Sequence, residues 1–358
     1  MEKAPSYDGS GLVNLVAEIE SRMTGTAQSP GLDDPSAVPE ANTYVLVLFD
    51  GLGVAQLDHE AAGVFRAASA GSLESPFPSM TNVSLATVAS GLPPSRHGQV
   101  AHLTWYPDIG LVVNTLKWVT PDGSPVHYDY ASLLPRPNLW ERLRGGGVEP
   151  ITVQPADFRT SPLTREMYRG ARFEAAWDAT DLAAATIALA AEPGRFLFTY
   201  VPFVDFAGHV FGQGSDEFAE AMGLAASIWM EIVDGLPPGA AVLGTADHGL
   251  IEVAEGDKTL VREPAFADLR FAGDPRGVHV WGEDELVRQL AAVTGGELVD
   301  PLSLLGPSPT EKTLSHVGDH LLLAPPGKVI LPRGFDKRLR CYHGGLSREE
   351  LEIPLLVG

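Results

Sequence analysis

Acidic and histidine side chains recur in this sequence just beyond apolar segments, and their types suit divalent metal ions. The set consists of Asp50, Asp205, His209, Asp247, His248 and His343. A glycine lies within a few residues of each of these side chains in the sequence, and glycine lets the backbone and a ligand approach each other closely. Aspartate together with neutral histidine is typical of zinc and similar ions, whereas magnesium and calcium sites consist mostly of oxygen ligands. The sequence therefore predicts a metal centre.

The residues suffice for two metal sites. One site would use Asp205, His209 and His343 and leave a position open, and the other would use Asp50, Asp247 and His248 with Thr81 Oγ as fourth ligand. Two ions about 3.5–4 Å apart hold both the attacking and the leaving oxygen of an in-line phosphoryl displacement. We therefore expect two divalent ions, with zinc preferred over manganese or another transition metal.

The segment around Thr81 offers a nucleophile. Pro76 and Pro78 indicate a loop, after which a short helix is predicted to begin near Asn82 and to end at Gly91. Thr81 then lies at a helix N-terminus, where free backbone N–H groups and the helix dipole favour an anion. A threonine hydroxyl is a poor nucleophile until a cation or a base lowers its pKa, so metal coordination would replace a general base.

An α/β fold would position these residues. Residues 45–49 form an apolar segment long enough for a buried parallel strand, and ligands of such sheets bind beyond the carboxyl ends of the strands. Further strands are predicted over residues 149–153, 195–204, 240–246 and 353–357. Helices are predicted over residues 10–23, 54–70, 138–144, 178–191 and 215–233. We expect a largely parallel central sheet flanked by helices on both faces.

The remaining segments divide the chain into a core and additions. Residues 1–252 with 338–358 are expected to form the α/β catalytic core that carries the dimetal site. Within it, residues 105–135 lack a helical period and are predicted to form an excursion over the site. Residues 253–337 contain glycine, proline and a few short strands, which indicates a small inserted α+β subdomain.

Composition excludes several classes of partner. The 358 residues include 46 acidic and 25 basic side chains, and the net charge of −21 argues against nucleic-acid polymers and anionic membrane surfaces. No apolar stretch approaches the roughly 18 residues of a membrane span. The N-terminal residues lack the features of a secretory signal, so the sequence predicts a cytoplasmic protein. The single cysteine, Cys341, excludes an internal disulfide.

The order of the motifs resembles a known superfamily. The series DGLG, PSMT, GLPPSRHG, DFAGH, ADHG and HGGLS is similar to the alkaline phosphatase superfamily, most closely to its type I phosphodiesterase and nucleotide pyrophosphatase branch. The resemblance extends from about Tyr44 to Gly358. It implies that Thr81 is the covalent nucleophile, that the six ligands divide between two zinc ions as above, and that the fold is alkaline-phosphatase-like.

Two positions depart from that branch. The nucleophile is followed by NVSL, where better-known members have a Phe-Pro-Asn-His run, and the branch's phosphate-binding asparagine position falls on His102. His102 could donate a hydrogen bond to a nonbridging phosphate oxygen with a strength that depends on pH, or it could lie behind the site. Asn82 is the other candidate donor near the nucleophile.

The identity of the ester is the harder question. Monoester dianions favour an added cation, whereas diesters need an apolar slot, and the sequence offers Lys117 and Trp118 in NTLKWV as well as Phe203 and Phe206. Lys117, Trp118 and Phe206 are therefore predicted to contact the substrate. These side chains suit both kinds of ester, and it is the threonine nucleophile together with the resemblance that favours a phosphodiesterase or nucleotide pyrophosphatase acting on a small phosphate ester, such as a nucleotide.

Other functions stay open at this stage. A phosphomonoesterase is the next candidate, followed by a phosphonate or sulfate ester hydrolase. A phosphosugar mutase would need a second phosphate-binding cluster in the inserted segment, where the basic residues Lys258, Arg262, Arg270 and Arg276 are scattered. A non-catalytic binding module is disfavoured, since no ligand or nucleophile position is missing.

Overall fold

The computed structural model describes residues 4–358. Its strands are β1 (Thr43–Phe49), β2 (Ser69–Glu74), β3 (Leu103–Tyr106), β4 (Leu111–Asn114), β5 (Glu149–Pro155), β6 (Arg172–Ala176), β7 (Arg195–Val201), β8 (Ala240–Ala246), β9 (Ile251–Glu252), β10 (Lys258–Leu260), β11 (Arg270–Asp274), β12 (Gly277–Trp281), β13 (Glu297–Val299), β14 (His320–Leu323), β15 (Val329–Leu331), β16 (Cys341–Tyr342) and β17 (Glu352–Val357). The α-helices are α1 (Leu12–Thr24), α2 (Gly63–Ala68), α3 (Thr81–Ser90), α4 (Pro94–His97), α5 (Leu139–Gly145), α6 (Pro162–Met167), α7 (Ala179–Ala190), α8 (Phe203–Phe211), α9 (Asp216–Gly235), α10 (Asp284–Thr294), α11 (Glu311–His316) and α12 (Arg348–Leu351).

Seven strands form the main sheet, in the order β2-β17-β8-β1-β7-β5-β6. Strands β8, β1, β7, β5 and β6 are parallel, and β17 pairs antiparallel with both β8 and β2. All seven residues of β1 are buried, as expected for a central strand covered on both faces. The predicted α/β fold with a largely parallel sheet is therefore confirmed.

Helices cover both faces of the main sheet. Phe196 of β7 stacks on Trp140 of α5, with ring centroids 5.7 Å apart. Thr199, which points to the other side of the same strand, hydrogen-bonds to Thr186 of α7 over 2.8 Å. Because side chains alternate along a strand, α5 and α7 lie on opposite faces. Helices α1 and α3 pack beside α5, whereas α9 packs beside α7.

Most predicted elements of the core have the predicted type. The helices expected over residues 10–23, 138–144, 178–191 and 215–233 are α1, α5, α7 and α9, with bounds that shift by at most two residues. The short helix after Pro78 is α3, in which all ten residues are buried, and it ends at Gly91 in the left-handed conformation with φ of 65°. A helix so completely buried owes its stability to packing more than to intrinsic propensity.

One predicted helix is wrong. Residues 54–70 form two 3₁₀ turns, Val54–Asp58 and Glu60–Ala62, followed by the short helix α2, and the chain then enters β2. His59 interrupts the helical path because its backbone is extended, with ψ of 141°, and its Nδ1 accepts the Ala61 N–H over 3.2 Å. Pairing of β2 with β17 ends α2 at Ala68, which a local apolar period does not reveal.

A second, six-stranded sheet follows the order β13-β14-β12-β11-β3-β4, and all its pairs are antiparallel. It joins two segments that the sequence analysis treats as separate. Strand β4 and the end of β3 belong to the excursion, and the other four strands belong to the inserted segment. Leu103 of β3 pairs with Gly273 of β11 at the junction. The expected excursion and inserted subdomain therefore form one sheet beside the core.

The longest helix described, α9, has 20 residues and an amphipathic pattern, with Phe218, Met222 and Trp229 among its buried side chains. Its first turn contains two acidic residues, Asp216 and Glu217, which favour the positive end of the helix dipole. The Ser215 hydroxyl caps the helix by accepting the Phe218 N–H. Within residues 4–358, no helix combines the length and apolar character that crossing a bilayer requires.

Candidate dimetal centre and pocket

Two of the predicted aspartates lie side by side at the carboxyl edge of the main sheet. In the register of the sheet, Phe49 of β1 is opposite Ala246 of β8 and Val201 of β7, so the three strands end level. Asp50 and Asp247 follow directly and are 4% and 0% exposed. Parallel pairing thus brings together two carboxylates that are far apart in sequence.

Asp205 differs from the prediction, because it does not end a strand. It lies in the first turn of α8, and His209 follows one turn later on the same helix face. His209 Nε2 is 3.2 Å from Asp205 Oδ1 and 3.2 Å from Nε2 of His343, which the loop after β16 supplies. These three side chains form a first cluster, whose ligand atoms all lie within 4.8 Å of one another.

Asp50, Asp247 and His248 form the second cluster. His248 Nε2 is 3.4 Å from Asp50 Oδ1 and 3.3 Å from Asp247 Oδ2. The clusters are adjacent, since the His248 ring stacks on the His343 ring with centroids 3.6 Å apart. The structure thus groups the six predicted ligands in the two predicted sets.

The hydrogen bonds of the three histidines define their tautomers. Each Nδ1 faces a backbone carbonyl oxygen, at 2.7 Å from Cys341 for His209, 2.8 Å from Ser79 for His343 and 3.2 Å from Gly249 for His248. A carbonyl only accepts hydrogen bonds, so each Nδ1 carries the proton and each Nε2 of a neutral ring presents a lone pair. All three Nε2 atoms are therefore oriented as metal ligands.

The carboxylates also fit cations. Within the described residues 4–358, Asp205 Oδ1 and Asp247 Oδ2 are buried without a hydrogen-bond partner. Burial raises the pKa of Asp205 to about 7, and burial together with the neighbouring Asp247 charge raises the pKa of Asp50 well above its usual range. Grouped buried carboxylates of this kind are costly unless cations or protons neutralise them. The donor set accordingly matches two divalent metal sites.

Asp50 is held by contacts that the sequence analysis did not identify. The Tyr200 hydroxyl, on β7, donates a hydrogen bond to Asp50 Oδ2. Gly51 adopts φ of 76° and donates its N–H to Asp247 Oδ1 over 3.1 Å. A Cβ atom at Gly51 would lie 2.9 Å from the Asp205 Cα, so only glycine fits between the clusters. Tyr200 had no sequence signal, because it resembles any other buried strand residue.

Thr81 lies where the sequence predicts it. It is the first residue of α3 and is 8% exposed. Its Oγ1 lies 3.2 Å from His248 Nε2 and 3.5 Å from Asp50 Oδ1. The first hydrogen bond of the helix runs from the Ser84 N–H to the Met80 carbonyl, so the N–H groups of residues 81–83 precede it. The hydroxyl therefore faces the second cluster at the positive end of a helix.

Asn82 does not serve as the predicted phosphate donor. Its side chain is fully buried, and its Nδ2 donates to the Ala101 carbonyl over 2.8 Å and to Thr115 Oγ1 over 3.0 Å. Both amide protons are thus used within the protein. Asn82 connects α3 to the chain around His102.

His102 lines the pocket beside Thr81. Its Nε2 lies 3.0 Å from Nδ2 of Asn114, whose Oδ1 accepts the N–H groups of Leu116 and Lys117. The amide group therefore donates to Nε2, which leaves the proton of a neutral ring on Nδ1, an atom without a hydrogen-bond partner within residues 4–358. Burial lowers the His102 pKa to about 4, so the ring is neutral at pH 7 and its buried Nδ1 carries the N–H.

A pocket of about 790 Å³ opens beside the metal clusters. The core contributes Thr81 and all three residues of the first cluster to its lining. The excursion and the inserted segment, with Arg338 directly after it, contribute the opposite wall, which includes four basic residues, Lys117, Arg262, Lys337 and Arg338. Both walls are needed to enclose a ligand.

The three predicted substrate contacts have different locations. Lys117 is exposed and lines the pocket. Trp118 is wrong as a pocket residue, since it is 3% exposed and its ring packs against Tyr128 and Tyr130. Phe206 is also outside the described pocket lining, with 64% of its surface exposed on the outer side of α8. Aromatic residues near a site in sequence need not face it.

Asp274 is a pocket residue that sequence reasoning missed. It is 1% exposed, and its carboxylate accepts the His102 backbone N–H over 3.1 Å. Burial raises its pKa to about 8. The surrounding letters GDPRG indicate only a turn, so nothing in the local pattern distinguishes this aspartate from an exposed one.

Comparison with known proteins agrees with this geometry. Residues 44–289, more than half of the chain, match the family of type I phosphodiesterases / nucleotide pyrophosphatases. No curated protein gives a significant match.

Solved structures share the fold at low sequence identity. Murine ectonucleotide pyrophosphatase / phosphodiesterase 5 aligns with a TM-score of 0.66 and 16% identity over 87% of each chain. An inactive threonine-to-alanine variant of that murine protein, in complex with AMP, aligns with a TM-score of 0.66 and 15% identity, also over 87% of each chain. Phosphonoacetate hydrolase from Sinorhizobium meliloti 1021 aligns with a TM-score of 0.63 and 18% identity, over 89% of this chain and 90% of that one.

The family match, the two ligand clusters and the shared fold lead to one assignment. The matched range contains five of the six predicted ligands and Thr81, and His343 completes the first cluster from beyond it. The chain belongs to the type I phosphodiesterase / nucleotide pyrophosphatase family and is a metal-dependent phosphoester hydrolase.

Proposed function

We propose that this protein is a phosphodiesterase or nucleotide pyrophosphatase that uses two zinc ions and a covalent phosphothreonine at Thr81. One observation carries the proposal: Thr81 Oγ1 lies 3.2 Å from a ligand nitrogen of the second cluster, at the start of a buried helix and on the wall of the pocket. A hydroxyl in that place has both a route to deprotonation and access to substrate.

Zinc suits the donors, because each cluster combines carboxylate oxygen with imidazole Nε2 of fixed tautomer. The first ion would be held by Asp205, His209 and His343, and the second by Asp50, Asp247 and His248 with Thr81. When bound, two divalent ions stabilise negative charge on the attacking and leaving oxygens.

The chain's own groups account for the remaining chemistry. Thr81 Oγ loses its proton to solvent and bonds to phosphorus, while the bond from phosphorus to the leaving oxygen breaks and that oxygen takes up a proton, which gives phosphothreonine and the released alcohol or nucleotide. Water then loses a proton and bonds to the same phosphorus, the bond to Thr81 Oγ breaks, and Oγ takes up a proton, which releases phosphate or a phosphomonoester and regenerates the hydroxyl. Backbone N–H groups at the start of α3 would donate to nonbridging oxygens, and His102, which lines the pocket, is the second candidate donor.

Replacement of the nucleophile tests the covalent step. We expect Thr81→Ala to lose turnover below detection while it retains both metals, because the six carboxylate and imidazole ligands remain. Thr87→Ala is a matched control, since Thr87 lies on the same helix, is fully buried and bonds only to the structural His97 among side chains. Most of the wild-type activity in Thr81→Ala would contradict the mechanism, as would the absence of a phosphorylated Thr81 peptide after acid quenching.

A phosphomonoesterase is the second candidate, and two pocket cations favour it. Lys117 and Lys337 are exposed in the lining, and neither forms an ion pair among residues 4–358. Free cations beside the reacting phosphate would favour a monoester dianion, or a nucleotide with an additional phosphate. The complex of the murine relative with AMP supports a nucleotide-sized ligand, and the pocket volume is in the usual range for small molecules.

Two substrates discriminate between these candidates. The zinc content is measured on protein purified without chelator, and rates are compared for bis-p-nitrophenyl phosphate and p-nitrophenyl phosphate from pH 6 to 10. We expect about two metals per chain, as the ligand clusters require, and preference for the diester. Preference for the monoester would transfer the assignment to a phosphatase. Less than one metal per chain, with no activity after zinc or manganese is restored, would overturn the dimetal mechanism.

A further inference from the structure

A fully buried ion pair lies behind the two metal clusters. Arg276 and Glu350 are 2% and 0% exposed. The Arg276 guanidinium donates to Glu350 through Nε over 3.0 Å and through Nη2 over 2.9 Å. Removing two charges from water is expensive, and such a pair is retained only where its geometry is well satisfied or where it has a role beyond stability.

Glu350 contacts two loops that each carry a predicted histidine ligand, the loop with His343 and the loop with His248. Its Oε1 accepts the Gly345 N–H over 2.8 Å, two residues beyond His343. Its backbone carbonyl accepts the Gly249 N–H over 2.9 Å, one residue beyond His248. A single residue therefore holds one loop from each cluster.

These loops fit closely around Glu350. A Cβ atom at Gly249 would lie 2.0 Å from the Glu349 carbonyl oxygen, so the His248 loop lies directly against the segment before Glu350. The rings of His248 and His343 stack at 3.6 Å across the boundary of the two clusters. A displacement of Glu350 would consequently move a ligand of each metal site.

Arg276 anchors the pair to the second sheet. Its Nη1 donates to the carbonyls of Pro325 and Lys328 over 2.8 Å and 2.5 Å. It lies in the turn between β11 and β12, where Asp274 lines the pocket and accepts the His102 N–H. The same turn thus contacts the pocket wall on one side and Glu350 on the other.

We propose that Glu350, held in place by Arg276, is a positioning residue that fixes the His248 and His343 loops and thereby sets the affinity for the pair of metal ions. The inference rests on the proposed dimetal function. Glu350 supplies the acceptors that orient the loops, and Arg276 compensates the charge that Glu350 would otherwise bury alone. Residues that orient metal ligands typically contribute about 10–100-fold to metal affinity.

The test separates positioning from stability by replacing the whole ion pair. Arg276→Met with Glu350→Met leaves no unpaired buried charge, and apolar replacements of buried ion pairs are often neutral for stability. The Gly345 N–H nevertheless loses its acceptor. We expect this double variant to fold, with a metal affinity about 10–100-fold weaker than wild type by chelator competition.

The matched control is the pair Arg142 and Glu20, which joins α5 to α1 over 2.6 Å and 2.8 Å and touches neither cluster. Arg142→Met with Glu20→Met should leave metal affinity at the wild-type value, whatever its melting temperature. Wild-type affinity in the Arg276 and Glu350 double variant would overturn the inference, and so would an equal loss of affinity in the control.

A conservative variant covers the case in which the double variant does not fold. Glu350→Gln keeps the shape and an acceptor oxygen, and we expect a smaller loss of affinity because a neutral amide accepts a weaker hydrogen bond than a carboxylate. An affinity equal to wild type would overturn the inference. Failure of the wild type to bind two metals would instead refute the proposed function, so the two failures are distinguishable.

Discussion

The two sheets of this protein contribute different things to one pocket. The main sheet supplies buried carboxylates at the level ends of parallel strands, as Asp50 and Asp247 illustrate with 4% and 0% exposure. The second sheet supplies a wall with exposed cations, such as Lys117 and Arg262. The carboxylates of the main sheet are thus held in a dry environment, whereas the cations of the wall extend toward solvent on long side chains.

The comparison makes a general prediction about mutants. Changes on the main sheet should alter metal content and turnover together, because the proposed metal ligands are needed for both metal binding and catalysis. Changes on the wall should alter substrate affinity and leave turnover intact.

The largest effect is expected from Asp247→Asn on the main sheet. Asp247 is fully buried, is a ligand of the second cluster and accepts the Gly51 N–H. We expect kcat to fall by more than about 100-fold, together with the loss of one metal per chain. Replacing a residue that only hydrogen-bonds to a metal ligand already lowers metal affinity or activity by about 10–100-fold, so replacing a ligand should cost more. Elemental analysis and steady-state rates measure both.

Asp58→Asn is the control for this variant, since Asp58 is exposed and belongs to neither cluster. It should retain activity and metal. Full metal content and activity in Asp247→Asn would contradict the assignment of the second cluster.

Metal affinity should depend strongly on pH because the core ligands are buried. Burial raises the pKa of Asp205 to about 7 in the metal-free protein, so below pH 7 this carboxyl group holds a proton that a metal must displace. Affinity should therefore fall as pH falls below 7, by up to about tenfold per pH unit for one displaced proton. Calorimetry in buffers of different ionisation enthalpy measures the released proton, and a pH-independent affinity from 5 to 7 would refute this expectation.

A smaller effect is expected on the pocket wall. Lys117→Met with Lys337→Met should raise KM for a substrate with a second anionic group by about tenfold or less, leave kcat unchanged, and show the greatest effect at low salt. Lys328→Met serves as control, because Lys328 pairs with Asp257 outside the pocket lining. A loss of kcat in the double variant would break the contrast between the sheets.

The smallest effect is expected at Phe206. This side chain is 64% exposed and lies outside the described pocket lining, so Phe206→Ala should change the free energy of unfolding by no more than about 0.5 kcal/mol. Its kcat/KM should also stay near the wild-type value. A large loss of kcat/KM would restore Phe206 as a substrate contact.

The six side chains that the structure groups could be selected from the sequence because their signals are local. Asp50 and Asp247 each follow a predicted strand, and Asp205 and His209 follow a third apolar segment, although the structure places those two residues on helix α8. Parallel pairing of β1 with its neighbours then brings these signals together without further information.

Other features depend on contacts between distant segments and could not be predicted. The junction of the second sheet consists of one residue pair, Leu103 with Gly273, and no periodicity encodes it. Tyr200 alternates like any strand residue, and Asn82 and Trp118 have functional neighbours in sequence but bury their side chains elsewhere. Only tertiary structure distinguishes a residue beside the site from one that faces it.

The sequence separation within each cluster has a consequence for folding. His209 and His343 lie 134 residues apart, and Gly51 is 196 residues from Asp247, whose carboxylate holds it. Closing loops of this length lowers the chain entropy before the contacts within the cluster can compensate for it. The clusters should therefore be completed late during refolding. Metal binding would then occur after the core tryptophans are buried. A metal-sensitive dye would measure the rate of this last step, and tryptophan fluorescence would measure the rate of the earlier one.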